Sequence, residues 1–380
     1  MKIAFDGQLL LDKEKTGIAW NAHNLILELA KLPENECILQ CFSCRGDRQM
    51  QRLDPYRKAG CRVECCSWFS HELYKLLSLV LPLPRHLLFR TKPDMTQFFN
   101  FQIPSGVKGK RIVFIHDMAY RSCPQTVRTK TRFWLRLSMK SSCRRADHLI
   151  TVSEFSKKEI VRYLKVVPEK ITVVPNAVDH TIYHPRYTKE QITNVQARYG
   201  IEGEYILYLG TIEPRKNLER LIDAYAALCR QKQEVPVLVL AGRKGWMCAD
   251  IYQKAQQLQK KGKILFPGYI RQKDSPVLMC GAKLFVFLSL YEGFGMPLLE
   301  AMACGTPVLA SAAASMPEIA GNAAAIVDPE NVAGITRAIR KLLEDDAYRE
   351  TCRQMGLKRA AGYTWEASAA LLQEVYRSLN

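Results

Sequence analysis

Residues 291–307 read Y-E-G-F-G-M-P-L-L-E-A-M-A-C-G-T-P, and the reading of this stretch decides the fold. The apolar run before it, residues 284–290, has the length and the β-branched and aromatic content of a buried strand. It stops at Glu292 and Gly293. A helix is predicted next, with Pro297 at its first position, Leu298, Leu299, Ala301, Met302 and Ala303 as helix formers, and Gly305 and Pro307 as its end. Gly293, Gly295 and Pro297 at the carboxyl end of a strand aim backbone N–H groups and a positive dipole end at one point, which suits an anion.

Glu292 lies before this helix and Glu300 one turn inside it. Carboxylates repel a phosphate unless they hold something uncharged beside it, such as sugar hydroxyls. Eight residues of helix would separate the two by about 12 Å, against roughly 5–9.5 Å for a glycosidase pair, although a bent loop leaves the gap open. From spacing alone, a strand–helix joint with two surface glutamates is the competing reading.

The same residues carry a resemblance. The segment from Glu292 to Glu300 matches the E-x7-E pattern of retaining glycosyltransferases of family four, and the A-M-A-C-G-T-P-V-L-A-S that follows resembles those enzymes too. The resemblance implies an α/β chain of the GT-B fold: two facing Rossmann-like domains with a catalytic cleft between them. It also implies that Glu292 touches the transferred sugar and Glu300 the ribose of a nucleotide.

The whole chain fits that expectation. Its 380 residues suit two domains of about 150–200 residues each. The opening M-K-I-A-F-D-G lacks the apolar core of a signal peptide, and no apolar segment reaches the ~18–20 residues that span a bilayer, so a cytoplasmic location is expected. Six of the 13 cysteines crowd into Cys37, Cys41, Cys44, Cys61, Cys65 and Cys66. Their spacings do not reproduce the C-x2-C knuckles of zinc modules, and they fall in strand-like runs, so they read as buried free thiols. The net charge of +18 is uneven, with 32 Lys+Arg against 18 Asp+Glu in residues 1–190. The densest part is 128–145, and no acidic residue lies between Asp117 and Asp147. An anionic membrane surface, a diphosphate-linked acceptor or nucleic acid would each fit that charge.

Residues 2–5 are predicted as the first strand and 18–32 as a helix, joined by a basic loop ending at Gly17. A glycine there lets backbone approach a ligand above the sheet edge. The resemblance extends to Gly17, but not to the second glycine of relatives, which is replaced here by Ala19 and Trp20. Residues 37–44, 61–68 and 111–116 read as further strands of a parallel sheet. Residues 71–90, apolar and interrupted by proline, read as a core helix or as an element at a membrane interface. The strand 111–116 delivers His116 and Asp117 at its carboxyl end, where α/β ligands bind, although a structural histidine is the commoner outcome. The resemblance implies that His116 contacts the donor sugar.

The second domain opens with a strand at 205–209, then Gly210, and a helix is predicted near Asn217. Arg215 and Lys216 just before that helix oppose its dipole unless an anion lies between them. Gly210 to Asn217 also match the family's G-T-x-x-x-R-K-N. The resemblance implies that Arg215, Lys216 and the amides of Met296, Pro297 and Leu298, opened by Gly295, neutralise a departing diphosphate. It places the base at Gly268, Tyr269 and Ile270. The expected domains are 1–185 on the acceptor side, 195–362 for the nucleotide sugar, and a helix in 363–380 that crosses back to the first domain.

The resulting expectation is a retaining hexosyltransferase, mannosyltransferase-like, that uses a nucleotide sugar, with GDP-mannose leading, and a saccharide or lipid-linked acceptor. Peripheral attachment to the inner face of an anionic membrane is expected from the charge. The chain contains no Asp-x-Asp, so neither a metal clamp nor a cofactor is expected. An epimerase or phosphorylase of the same fold would need no large acceptor surface, and the basic half argues against it. A nucleic-acid-binding protein would fit the charge, but the basic stretch has no aromatic interleaving beyond Phe133 and Trp134, and no recognition motif occurs.

Overall fold

Short apolar runs separated by helical segments form two all-parallel sheets, as expected where strands are buried on both faces by crossover helices. The computed structural model describes residues 1–42, 47–78, 81–232 and 234–380, so Cys44 and the middle of 71–90 lie outside the described residues. The chain divides into one unit of residues 1–122, 129–176 and 365–380 and another of 123–128 and 177–364.

The first unit holds β1 (Lys2–Asp6), β2 (Glu36–Phe42), β3 (Arg62–Cys66), β4 (Met95–Phe98), β5 (Lys110–Phe114), β6 (His148–Thr151) and β7 (Ile171–Val173). Their order is β3-β2-β1-β4-β5-β6-β7. The second unit holds β8 (Tyr205–Leu209), β9 (Val237–Ala241), β10 (Ile264–Leu265), β11 (Leu284–Phe287), β12 (Val308–Ser311) and β13 (Ala325–Val327), in the order β10-β9-β8-β11-β12-β13. In each sheet the strand order reverses once, between β1 and β4 and between β8 and β11. Crevices at the carboxyl ends of such strand pairs are where open α/β sheets bind ligands.

Several sequence expectations are corrected. β4 had no counterpart in the predicted strands, because it is short and half polar, with Thr96 and Gln97 buried. The Gln97 Oε1 accepts from the Tyr376 hydroxyl at 3.0 Å. Residues 71–90 do not form one helix: a helix spans His71–Leu77 and a 3-10 turn Arg85–Leu87. Tyr74 and Phe89 pack on Phe42 and Cys66, whereas Leu73, Leu76, Leu81 and Leu87 are exposed. Of the clustered cysteines Cys65 is exposed, while Cys37, Cys41, Cys61 and Cys66 are buried.

The helix Trp365–Leu379 belongs to the first unit, where it packs on the helix Gly17–Ala30. Ser368 Oγ donates to the Pro175 carbonyl at 2.8 Å, and Asn35 Nδ2 to Gln373 Oε1 at 2.9 Å. The first unit's main run ends at Asn176, before the expected 185, because the residues read as linker are structured in the second unit. Thr188 and Gln191 form a reciprocal capping box on the helix Lys189–Arg198, which packs on the helix Ser275–Gly281. Residues 123–128 also group with the second unit, where Trp246 Nε1 donates to the Thr126 carbonyl at 2.8 Å.

Candidate active site

The second sheet's reversal brings the exits of β8 and β11 side by side. β11 ends at Phe287, three residues short of the predicted Leu290, because the chain turns to pair with the other exit: Leu290 N–H donates to the Arg215 carbonyl at 2.9 Å. Ser315 Oγ pins the following loop, donating to the carbonyls of Glu292 (2.9 Å) and Phe294 (3.0 Å). Gly295 then takes φ 99°, and a Cβ there would run into the Met316 side chain. The helix Met296–Ala303 starts one residue before Pro297.

Two cations converge on one carboxylate here. Arg215 Nη1 lies 2.9 Å from Glu292 Oε2, and Lys216 Nζ donates to Glu292 Oε1. Arg215 is held from behind by Glu213 Oε1 at 2.8 Å and donates to the Tyr291 carbonyl at 2.7 Å. The Lys216 ammonium lies 5.2 Å from the Phe287 ring. The side chain of Glu292 is only 12% exposed, and burial alone would raise its pKa, yet Lys216 and Arg215 hold it at about 2. Burial lowers the Lys216 pKa, against the upward pull of Glu292. The two cations predicted to await a diphosphate are thus already neutralised by Glu292 and by Glu213, which is 2% exposed.

The sequence reading overlooked Glu213 and Ser315. Glu213 had a legible signal, an acid two positions before Arg215. Ser315, distant in sequence, had none.

Glu300 sits on the helix Met296–Ala303 within hydrogen-bond reach of the Tyr183 hydroxyl. Burial raises its pKa to about 7 against the lowering effect of that bond. The amides of 296–298 are less available than predicted, since Pro297 has no N–H and Leu298 N–H donates to the Gly295 carbonyl at 3.1 Å, which leaves Met296. Gly210 has a packing explanation, because a Cβ there would lie 2.8 Å from the Tyr208 hydroxyl. Tyr269 is half exposed with the Arg243 guanidinium 4.3 Å from its ring, and Ile270 buries its side chain, so its backbone is what that loop can offer.

Gly17 and His116 belong to the first unit. A Cβ at Gly17 would meet nothing within 4 Å, so internal packing does not require that glycine. His116 is buried and stacked on Phe114, and its Nε2 donates to the Phe99 carbonyl at 2.9 Å. Burial lowers its pKa to about 4 despite that bond, so the ring is neutral near pH 7 and a weak base. Asp117 Oδ1 accepts from Ala119 N–H at 2.9 Å, capping a short helix.

The environment of Glu300 makes a prediction. A carboxyl whose folded pKa is raised to about 7 binds a proton in the native state that the unfolded chain has released above about 4.5, so stability falls as pH rises through that window. Glu300→Gln is expected to remove this fall and to be more stable than the parent at pH 8 by on the order of 2–3 kcal/mol. Denaturant midpoints of the ligand-free proteins at pH 5 and 8 measure it; equal pH dependence in both would remove Glu300 as its source.

The model of "Glycosyl transferases group 1" matches residues 192–359, and that of "Glycosyltransferase Family 4" matches 16–182. O-antigen chain mannosyltransferase B of Escherichia coli is 34% identical over 74% of this chain and 73% of its own length. The serotype-specific mannosyltransferase WbdA of Escherichia coli is 33% identical over 62% of this chain, which spans 29% of that relative. Among solved structures, Thermosynechococcus elongatus sucrose-phosphate synthase aligns with TM-score 0.73 at 19% identity, covering 100% of this chain and 99% of its own. Anabaena HepE, solved with UDP and glucose, aligns with TM-score 0.71 at 20% identity over 100% of this chain and 99% of its own. With both family models matched and a relative above 30% identity covered over most of its length, the chain belongs to the family-four glycosyltransferases of GT-B fold.

Proposed function

We propose that the protein transfers a mannosyl residue from GDP-mannose to a saccharide or lipid-linked acceptor in surface-polysaccharide assembly, keeping the α configuration. The observation that carries this reading is the cluster of Arg215, Lys216 and Glu292 at the β8/β11 reversal: two cations held on one carboxylate beside a helix amino terminus. A nucleotide diphosphate exchanges for that carboxylate on the cations, and the released Glu292 accepts hydroxyls of the transferred sugar. Glu300 takes the ribose, and the loop of Tyr269 and Ile270 takes the base. Gly17 lets the donor approach the backbone closely, and His116 contacts the donor sugar as a neutral ring. The O-antigen mannosyltransferases among the relatives favour mannose and a glycan acceptor.

In the transfer, the acceptor oxygen bonds to C1 as the C1–O bond to the phosphate breaks. The acceptor proton passes to the departing phosphate oxygen on the same face, so configuration is kept. Fixed cations and a helix end aimed at the charge that develops supply the stabilisation, in place of a metal clamp. Attachment to the inner face of an anionic membrane is part of the proposal. The helix Thr129–Arg145 exposes Phe133 (64%) and Leu137 (56%) one turn apart, with Lys130, Arg136, Lys140 and Arg144 also exposed. No helix among the described residues is long and apolar enough to cross a membrane.

Melting shifts with GDP-, UDP- and dTDP-sugars test the donor, and GDP-mannose is expected to give the largest. Arg215→Ala and Lys216→Ala should each cut turnover at least tenfold, since a charge-assisted contact contributes about 1.5–3 kcal/mol, and chelators should leave turnover unchanged. Near-normal rates for both variants would take them out of the reaction. Proton coupling at the product's anomeric centre reads the stereochemistry, and a β linkage from an α donor overturns retention. Vesicles rich in anionic lipid should sediment the protein and release it at about 0.5 M salt, each basic residue contributing about 1 kcal/mol at best. Indifference to salt would discard the electrostatic attachment.

A further inference from the structure

Glu300 owes its partner to residues that read as linker in the sequence. Residues 179–187 form a fastened turn in the second unit. Asp179 Oδ1 accepts from the Thr181 N–H and hydroxyl at 2.9 and 2.6 Å, and the Asp179 carbonyl accepts from the N–H groups of Ile182 and Tyr183 at 3.1 and 2.8 Å. Tyr187 donates its hydroxyl to the Ile182 carbonyl at 2.7 Å, and its ring stacks on His184 with centroids 4.5 Å apart. The turn lies against the end of the helix Met296–Ala303, since a Cβ on Gly305 would come within 3.2 Å of Pro185. Backbone held this way fixes where the Tyr183 ring enters the fold.

The Tyr183 hydroxyl meets two side chains, the Glu300 carboxyl and the Ser275 hydroxyl. Ser275 is itself placed by a buried anchor. It opens the helix Ser275–Gly281 directly after Asp274, which is 3% exposed and accepts from Arg198 Nη1, the Tyr199 hydroxyl and Arg271 Nε at 2.7, 2.7 and 2.6 Å. Arg271 follows Ile270, and its N–H donates to the Tyr199 hydroxyl at 3.1 Å. One anchor thus serves both Ser275 and the loop of Tyr269 and Ile270.

A phenol has one proton to donate, and its bond to a carboxylate is stronger than its bond to a neutral hydroxyl. The Tyr183 O–H therefore donates to Glu300, while Ser275 donates to the Tyr183 oxygen. The helices packed on Met296–Ala303 carry Cys280, Glu318 and Arg353, and Cys304 caps its end. Among the described residues, the Tyr183 bond is what opposes the upward push of burial on Glu300.

We propose that Tyr183 is a positioning residue of the donor site, its hydroxyl holding the Glu300 carboxylate ionised and oriented to accept the ribose hydroxyls. This role rests on the reading of Glu300 as the ribose ligand, and it makes donor affinity depend on pH. Glu300 titrates at about 7 in the folded protein, so the ribose contact strengthens as pH rises through that value. Loss of the Tyr183 hydroxyl removes a bond that favours the ion and moves the midpoint up by about one pH unit. At pH 7 the ionised fraction then falls from about one half to about one tenth, a loss of ribose affinity of about fivefold that disappears towards pH 9.

Calorimetric titration of the full chain with GDP and UDP, each beside its 2′,3′-dideoxy form, measures this between about pH 5.5 and 9. Ionisation of the diphosphate is common to both forms, so the ratio of their affinities reports the ribose contact. In the parent that ratio should rise with pH around a midpoint near 7. In Tyr183→Phe the midpoint should lie about one unit higher, and in Glu300→Gln the ratio should not vary with pH. The carboxyl carbon signal of Glu300, identified by its loss in Glu300→Gln, should show the same displacement in ligand-free protein, which a merely structural tyrosine would not produce. If neither nucleotide is distinguished from its dideoxy form by the parent, the ribose reading of Glu300 fails and the role of Tyr183 with it. Discrimination in the parent with an unshifted midpoint in Tyr183→Phe, in binding or in the carboxyl signal, overturns the role of Tyr183 alone.

Discussion

Glu292 could not stay ionised in its partly buried position without Arg215 and Lys216, because a desolvated carboxylate lacking a partner would take up a proton instead. The pairing does more than neutralise a charge. It ties the exit of β8, which carries the two cations, to the exit of β11, which carries the carboxylate, and the Leu290–Arg215 backbone bond reinforces the tie. Glu213 and the Tyr291 carbonyl fix the guanidinium from the other side. The cations therefore stand in place before any anion arrives. In the proposed reaction the diphosphate replaces Glu292 on the cations, and the sugar hydroxyls become the hydrogen-bond partners of the released carboxylate.

Both sheets gather charged side chains at their point of reversal. At the β8/β11 exits Arg215 and Lys216 are paired with Glu213 and Glu292 beside a helix amino terminus, whereas the β1/β4 exits carry carboxylates and amides around an arginine paired with Asp6. Topology makes the crevices, and side chains decide what each can hold. The basic helix Thr129–Arg145 then accounts for charge that neither crevice uses.

Burial also separates the two glutamates of the central segment. Glu292, with two cations, is held near pKa 2, while Glu300, with a tyrosine hydroxyl, is lifted to about 7. Two identical side chains eight positions apart thus differ in protonation near neutrality because one burial is offset by positive charge and the other is not. His116 is a third case, kept neutral by desolvation against the opposing pull of the Phe99 carbonyl.

The sequence by itself determined the α/β class, the strand–glycine–helix joint at residues 284–305 and the identity of most groups on it, because hydrophobic period, helix-stop residues and local motifs act over a few positions. It also pointed to the helix Trp365–Leu379, whose amphipathic pattern is local. Only the tertiary structure decided which charges meet. That Glu292 closes on Arg215 and Lys216, that Ser315 pins its loop and that Tyr183 faces Glu300 all depend on residues brought together by strand order. β4 escaped notice for the same reason: Thr96 and Gln97 tolerate burial because partners distant in sequence, such as Tyr376, satisfy them. Local sequence encodes the propensity to form a strand or a helix, whereas the partner of a buried charge or amide is set by packing between segments far apart in the chain.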